Sequence, residues 1–340
     1  MKVSYRRLLI QVAAIMSVGS GGKWASPGAV GAVKGWLTER DYRVLAVLEE
    51  HFTFTTSQLT TLGRFTSVVT ARHRLAALHS RRVLARARPF RPGGGSMQWH
   101  WLLGPIGSKV IAAQRGVSPI RPAKVALRWE RLFHGWRYEE LAAQHTWFCA
   151  LISSAGDRTD SYGRLVRWRC AWRVSRAWRA TTDGHGVWRW SDGRQLAFVV
   201  ELDDPPRVGM HALRERIASI PDSSLPDTLP PGFPDGVVTL IWCATLRREQ
   251  IIRRAITTHL GATTQMPVAL ACDEYAHRVP GGPHGRVWIP LGALRRRETG
   301  RLTLAELADA TAKPIVTESH HYQMQAPNEL VRNNIDIDLA

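Results

Sequence analysis

The sequence predicts an α+β protein of two domains, and three observations support that prediction. The chain has 340 residues, 44% of them hydrophobic, which is enough for two cores of ordinary size. Short capped helices and a β-hairpin come first, and a longer segment of mixed helices and strands follows. The balance of basic and acidic residues also differs between the two parts of the chain. Residues 1–124 hold 19 basic and 4 acidic residues, whereas residues 125–340 hold 27 and 24.

The net charge of +18 indicates a polyanionic partner, and its distribution favours nucleic acid. No acidic residue lies between Glu50 and Glu130, while 13 basic residues do. Solvated surfaces usually mix both signs, so an acid-free run of this length is typical of a phosphate-binding surface. An anionic membrane surface is the alternative polyanion. No apolar run is long enough to span a membrane.

The first domain has the element order of a winged helix-turn-helix. Residues 1–35 are glycine-rich near their end and are predicted to form a flexible basic arm, and the domain itself is predicted over residues 36–120. Thr38 with Asp41, and Thr55 with Gln58, are capping pairs that start helices, and Gly63 stops the second helix. The remaining elements are a helix from Ser67 to about His79, strands at 83–88 and 97–103, and a helix at 106–115.

This order places the candidate DNA-binding residues on the third helix and on the hairpin. A recognition helix needs a polar face that reaches base edges, and a wing needs cations for phosphates. The core positions of the third helix are predicted to be Val68, Ala71 or the stem of Arg72, Leu75 and Leu78. The predicted contacts to double-stranded DNA are Ser67, Thr70, His73 and Arg74 on the helix, and Arg81, Arg82, Arg86, Arg88 and Arg91 along the hairpin. Arg74 is expected to contribute most to sequence preference, and Arg86 to contact the backbone.

The second domain is predicted over residues 125–300, followed by a short helix and tail over 301–340. One or two helices span 125–156, and strands follow at about 164–179, 186–191 and 195–202. Arg and Trp interleave in the first of these strands. We interpret it as half-buried, with Trp inward and Arg outward, and single-stranded DNA binding is the alternative. A helix at 208–219, a strand at 236–246, a helix at 247–260 and a strand at 268–272 complete the core.

Three carboxylates are candidates for catalysis. Glu201 and Asp203 share one face of a strand, and Asp183 begins the strand before it. Convergent carboxylates suit magnesium, which can polarise a phosphodiester and activate water. Asp183 and Glu201 are therefore predicted to bind magnesium, with Asp203 as a further ligand. Solvated carboxylates at strand ends are the alternative.

The order helix, three strands, helix, strand is that of the PD-(D/E)XK nuclease core, with acids at the second and third strands. Here Thr182 stands in place of the proline, and Glu201-Leu202-Asp203 lacks the lysine. Arg214 and Arg216 could supply positive charge, but guanidinium does not deprotonate in proteins and cannot act as a base.

From Leu37 to Ile220 the chain resembles the replication-relaxation family of actinobacterial plasmids and integrative elements. The matching segments, in order, are Leu37-Thr38-Glu39-Arg40-Asp41, Arg74-Leu75-Ala76-Ala77-Leu78, Leu102-Leu103-Gly104, His145, Asp183-Gly184 and Phe198-Val199-Val200-Glu201-Leu202-Asp203. The resemblance implies a winged helix followed by a nuclease-like domain related to relaxases. The chain departs from it where an acid is expected just after Trp168, because Arg169 follows instead. His145 is predicted to be a core histidine.

Together these features predict a protein that recognises an origin or transfer site and helps to process it. A non-catalytic winged-helix regulator, or an accessory protein of a relaxosome, is the alternative, and a membrane-surface protein is a second one. A homodimer or relaxosome proteins are the candidate protein partners. The four cysteines show no metal spacing and indicate buried thiols in the cytoplasm.

Overall fold

The computed structural model describes residues 27–89, 96–133, 137–156, 162–170, 182–203, 209, 211, 215, 237–260, 267–296 and 300–311. The chain is mixed α+β and divides into two compact units, the first running to Cys149 and the second beginning at Ala150. Several predicted features lie outside the described residues: the arm over 1–26, Arg91, the Arg/Trp segment beyond Cys170, Arg214, Arg216 and the tail.

The first unit contains helices and a small sheet. Its helices are α1 Pro27–Lys34, α2 Glu39–His51, α3 Thr56–Leu62, α4 Val68–Ser80, α5 Pro105–Arg115, α6 Pro122–Phe133 and the start of α7 Arg137–Ala155. Strands β1 Phe54–Thr55, β2 Leu84–Ala87 and β3 His100–Leu103 form an antiparallel sheet in the order β1-β3-β2. Helix α1 occupies residues that the sequence assigned to the flexible arm.

Local hydrogen bonds start the helices where the sequence predicted. The Thr38 hydroxyl accepts from the Asp41 N–H, and the Asp41 carboxylate accepts from the Thr38 N–H at 2.7 Å. Thr55 and Gln58 form the same reciprocal box at the start of α3. Each box satisfies donors that a helix N-terminus would otherwise leave unbonded.

Packing between α2, α4 and α5 forms the core of the first unit, with Leu45, Leu75 and Val110 fully buried. Gly107 in α5 lies so close to β2 that an added Cβ would meet the Val83 carbonyl oxygen at 2.2 Å. Trp129 of α6 covers the hairpin, where it packs with Ala85, Ala87 and Leu102. This packing holds α4 and the hairpin in fixed positions at the surface.

The second unit is built on a six-stranded sheet in the order β4-β5-β6-β7-β8-β9. Its strands are β4 Arg164–Cys170, β5 Gly184–Arg189, β6 Gln195–Asp203, β7 Val237–Cys243, β8 Pro267–Cys272 and β9 Ile289–Gly292. Strands β4, β5 and β6 form an antiparallel meander, β7 and β8 run parallel to β6, and β9 is antiparallel. The helices assigned to this unit are α8 Leu246–Leu260, α9 Asp273–Ala276 and α10 Leu304–Thr311, together with the end of α7.

Both faces of this sheet are covered. Helix α8 places Ile252 and Ile256 against Ile241 and Leu270 of the central strands. In the meander, Gly186 lies opposite Phe198, whose ring an added Cβ would meet at 2.3 Å. Within β4, Trp168 is buried while Arg164, Arg167 and Arg169 are half-buried, which agrees with the Trp-inward interpretation of this strand.

The four cysteines are buried free thiols, as the sequence predicted. No helix in the described part of the chain is both long enough and apolar enough to cross a bilayer.

Candidate functional site

Helix α4 presents a long exposed face. Its buried residues are Ala71, Leu75 and Leu78, which recur at three- and four-residue spacing. Opposite them lies the exposed stripe, defined here as Val69, Arg72, His73, Ala76 and Ser80. Val69 is 58% exposed. Val68, predicted as a core position, is 41% exposed, because it lies in the first turn, before the helix reaches the packed core. The prediction for Val68 is therefore wrong.

Arg74 lies beside this stripe and is held by α2. Its Nε donates to Asp41 Oδ1 at 2.9 Å, and its Nη2 donates to Asp41 Oδ2 and to the Trp36 carbonyl oxygen. Asp41 is completely buried. Burial alone would raise the pKa of this carboxyl, but hydrogen bonds from Arg74 and Thr38 outweigh it and hold the pKa below its usual value. In this position Arg74 fixes α4 against α2.

The Trp36 ring lies between two arginines. The Arg74 guanidinium is 3.9 Å from the ring centroid, and that of Arg81 is 4.2 Å away. Guanidinium groups are attracted to the negative face of an indole ring. Arg81 is exposed at the C-terminal end of α4, so its charge stays accessible beside the helix.

The hairpin carries a second group of arginines around Trp99. The Arg86 guanidinium lies 4.4 Å from the Trp99 ring centroid, and that of Arg88 lies 5.8 Å away. Arg88 is exposed and its Nε donates to the Met97 carbonyl oxygen at 2.8 Å. Trp99 is itself 37% exposed. These contacts limit the motion of long side chains without neutralising their charge.

The other predicted contacts fall at or near the same surface. Ser67 caps α4, and its hydroxyl accepts from the Thr70 N–H at 3.1 Å. Both residues are exposed, as are His73 and Arg82, and Arg82 has a left-handed φ of 58° between α4 and β2. Of the nine predicted DNA contacts, eight lie in described residues. Among these eight residues, Arg74 pairs with a fully buried carboxylate.

Two histidines of the first unit are buried and neutral. Burial lowers the pKa of His100 to about 4, although its Nδ1 donates to the Gln98 carbonyl at 2.9 Å. Its Nε2 accepts from the Tyr138 hydroxyl at 2.9 Å. His145 stacks on Phe54 with centroids 4.1 Å apart, and burial with nearby His100 lowers its pKa to about 3. His145 is thus the core histidine that the sequence predicted.

In the second unit, Asp183 lies directly before β5 and Glu201 lies in the neighbouring strand β6. The Leu202 N–H donates to Asp183 Oδ2 at 2.7 Å, which fixes the Asp183 carboxylate alongside the end of β6. The Asp183 N–H donates to the Val200 carbonyl oxygen at 2.9 Å. Glu201 is fully buried, and Asp183 is 8% exposed. Buried carboxylates require compensating positive charge or hydrogen bonds.

Asp203 is already paired with α8. The Arg248 guanidinium donates to Asp203 Oδ2 at 2.6 Å and to Oδ1 at 2.7 Å. Both carboxylate oxygens therefore accept from one guanidinium, and the side chain of Asp203 is fully buried. Among the residues described, no group of three or more His, Cys, Asp or Glu side chains is placed to hold a metal ion. Arg248 thus engages both carboxylate oxygens of Asp203, and the magnesium site predicted at Asp183, Glu201 and Asp203 stays a prediction.

Basic and imidazole groups share the sheet face of Glu201. His185 pairs with Val199, two residues before Glu201, so both side chains lie on that face. Arg169 pairs with His185 across β4 and β5. Burial, together with the charges of Arg169 and Arg167, holds the pKa of His185 well below its usual value. The imidazole is therefore neutral at pH 7.

Three residues lie beside these candidate sites without having been predicted as site residues, and Arg72, whose stem was a possible core position, is exposed. Arg72 and Val69 were detectable, because Ala71, Leu75 and Leu78 already define the buried side and leave positions 69, 72, 73 and 76 opposite. Arg248 had no local signal, since it follows Asp203 by 45 residues and only the β6-β7-α8 packing joins them.

Comparisons with known proteins give one match. No curated protein and no solved structure is significantly similar to the chain. The model of the replication-relaxation family matches residues 45–208, a segment that includes helix α4, the arginine hairpin and all three carboxylates. Over this segment the chain is similar to the replication-relaxation family.

Proposed function

We propose that the protein binds double-stranded DNA and acts in the replication, relaxation or mobilisation of a plasmid or integrative element. The observation that carries the proposal is the exposed stripe of α4 beside an arginine-rich hairpin, within a stretch of sequence that has no acidic residue from position 51 to 129. The similarity of residues 45–208 to the replication-relaxation family supports the proposed biological role.

The fold of the first unit supports a winged helix. Helices α2, α3 and α4 precede a β2–β3 hairpin, and β1 joins that hairpin as a third strand. In DNA-binding proteins with this order, the third helix enters the major groove and the hairpin contacts the backbone. Helix α4 and the hairpin residues Arg86 and Arg88 would take these two roles.

Binding should therefore be strongly salt-dependent, and the hairpin should contribute to that dependence. In fluorescence anisotropy titrations at several salt concentrations, Arg86→Ala should weaken binding to all duplexes alike. It should also lower the salt slope by about one, the value for one lost phosphate contact. The control is Arg253→Ala, which removes an exposed arginine from α8 in the other unit. An unchanged slope in Arg86→Ala would show that the hairpin does not contact the backbone.

A second candidate function is magnesium-dependent nicking of DNA by the second unit. The order of β4 to β7, an antiparallel meander followed by a parallel strand, supports a PD-(D/E)XK-like core. The burial of Asp183, directly before its second strand, and of Glu201 in its third strand supports it further. The departures are the missing lysine and the pairing of Asp203 with Arg248.

The residues fit a site with two protein ligands better than one with three. Asp183 and Glu201 would hold the ion, and bound magnesium would supply Lewis acidity toward a phosphodiester. Asp203 would stay with Arg248 and hold the end of β6. Guanidinium cannot take a proton from water, so Arg248 would position and neutralise rather than act as a base.

A nicking assay on supercoiled plasmid separates the enzyme from a non-catalytic regulator. If the proposal for nicking holds, the wild type nicks in magnesium and Asp183→Asn does not, although both bind DNA equally. Asp192→Asn is the control, since it removes an exposed acid from the β5–β6 turn. Binding without nicking by the wild type, on plasmids carrying the cognate site, would identify a regulator or relaxosome accessory protein. Binding to anionic vesicles but not to DNA would favour the membrane-surface alternative.

A further inference from the structure

The apolar residues on the exposed stripe of α4 have no role in the core. Val69 stands at 58% exposure in the second position of the helix, and Ala76 is exposed two turns later. Between them lie the exposed side chains of Arg72 and His73. A solvent-facing helix surface ordinarily carries polar residues at such positions. The small apolar groups and hydrogen-bond donors of the stripe match the methyl groups and acceptors that bases present in the major groove.

The stripe has the length of a short recognition surface. Val69 and Ala76 are seven residues apart, which spans about 10 Å along a helix. Successive base pairs lie about 3.4 Å apart, so the stripe faces roughly three of them. Arg72 forms no ion pair with the described residues, in contrast to Arg74. Its five donors stay available for an acceptor in the groove.

The partner is double-stranded DNA on grounds of charge. Arg81 lies at the end of α4, and on the hairpin, which also carries Arg88, the Arg86 guanidinium contacts the Trp101 ring that His79 of α4 also contacts. No acidic residue lies in the sequence between Glu50 and Glu130 to repel phosphates. Exposed apolar groups surrounded by cations, without acids, favour a polyanion that also carries methyl groups. The thymine C5-methyl is the apolar group of the major groove.

We propose that α4 reads bases through Val69 and Arg72, with Val69 contacting a thymine methyl and Arg72 contacting guanine, while Arg74 positions the helix. This inference rests on the proposed DNA-binding function and specifies how that surface recognises its site. Guanine offers O6 and N7 as paired acceptors, which an unpaired guanidinium matches. The cognate site should therefore contain a thymine and a guanine within about three base pairs of each other.

The test changes one functional group of one base at a time. A preferred duplex is first selected from random sequence with the wild-type protein. Each thymine is then replaced by deoxyuridine, which lacks the methyl group, and each guanine by 7-deazaguanine, which lacks the N7 acceptor. Wild type should lose roughly fourfold in affinity at one thymine. It should lose roughly tenfold or more at one guanine.

The variants assign these losses to residues. Val69→Ala should bind the thymine and uracil duplexes equally, and Arg72→Ala should bind the guanine and 7-deazaguanine duplexes equally. Val117→Ala is the matched control, because Val117 is an exposed valine after α5 with 47% exposure. Val117→Ala should still distinguish thymine from uracil and guanine from 7-deazaguanine. Since Val69 and Arg72 are exposed, both variants should retain the wild-type unfolding midpoint.

The outcomes separate this inference from the function on which it rests. The assignment of Val69 is overturned if the protein binds DNA but no thymine methyl affects its affinity. It is also overturned if Val69→Ala keeps the full effect of the methyl group. Both outcomes leave DNA binding intact. Persistence of the guanine effect in Arg72→Ala overturns the assignment of Arg72. Absence of DNA binding by the wild type overturns both the proposed function and the inference.

Discussion

The ion pair between Arg74 and Asp41 gives a sharp prediction, because it distinguishes a residue that holds α4 in place from one that contacts bases in the proposed DNA complex. Replacing Arg74 with Ala leaves the fully buried Asp41 carboxylate with only its bonds from Thr38. Two charge-assisted hydrogen bonds are lost, and so is the contact with the Trp36 ring. Loss of one partner of a buried pair costs about 3–5 kcal/mol. Arg74 keeps 25% of its side chain exposed, so we expect the lower end, about 3 kcal/mol.

The assay is a double-mutant cycle on the free energy of unfolding, measured by urea denaturation of wild type, Arg74→Ala, Asp41→Asn and the double variant. The losses in unfolding free energy of the two single variants should not add up to the loss of the double variant. The coupling free energy between Arg74 and Asp41 should be about 2 kcal/mol or more. DNA binding by Arg74→Ala, measured where the variant is fully folded, should keep the wild-type ranking of sequences. A variant as stable as wild type that has lost its sequence preference would refute the reasoning and return Arg74 to the base-reading role.

Three further predictions concern stability. Burial lowers the pKa of His100 to about 4 from 6.5, so the unfolded chain binds its proton first as the pH falls. That contribution to stability is complete above about pH 6.5 and is lost toward pH 4. Wild type should therefore lose about 2 kcal/mol more than His100→Asn in urea unfolding at pH 5 relative to pH 7. Gly186→Ala would drive a Cβ into the phenylalanine ring opposite it and should cost about 1–3 kcal/mol in thermal unfolding, whereas Gly300→Ala, with open space around it, should cost almost nothing. Arg248→Met should cost about 3 kcal/mol, because it leaves a buried carboxylate unpaired, and Asp203→Asn in the same chain should recover part of that loss.

Helix starts and strand order were predictable from the sequence because their causes are local. The Thr38–Asp41 box needs only four consecutive residues, and the glycine at position 63 ends α3 where it was expected. The hairpin of β5 and β6 was predicted from the turn at Asp192. These signals act over a few residues, so one sequence is enough to read them.

The roles of individual charged residues were less predictable because distant elements determine them. Arg74 has the residue type of a base contact, yet Asp41, 33 residues earlier, engages it when α2 packs on α4. Asp203 has the spacing of a metal ligand, yet α8 brings Arg248 to both of its oxygens. In both cases an arginine from another element neutralises a buried acid. Which arginine does so depends on the packing of distant elements, and a local sequence pattern does not show that packing.

On the proposed DNA-binding function, the separate roles of the two faces of α4 bear on how such a protein could change its DNA site. Ala71, Leu75, Leu78 and Arg74 attach the helix to the unit, and the exposed stripe contributes nothing to that attachment. Substitutions at exposed positions usually alter stability by less than about 0.5 kcal/mol. A lineage moving between DNA elements could therefore exchange Val69 or His73 one at a time without losing the fold. The anchored arginine would be retained in every such variant, so its presence in a relative would report shared architecture and not a shared DNA site.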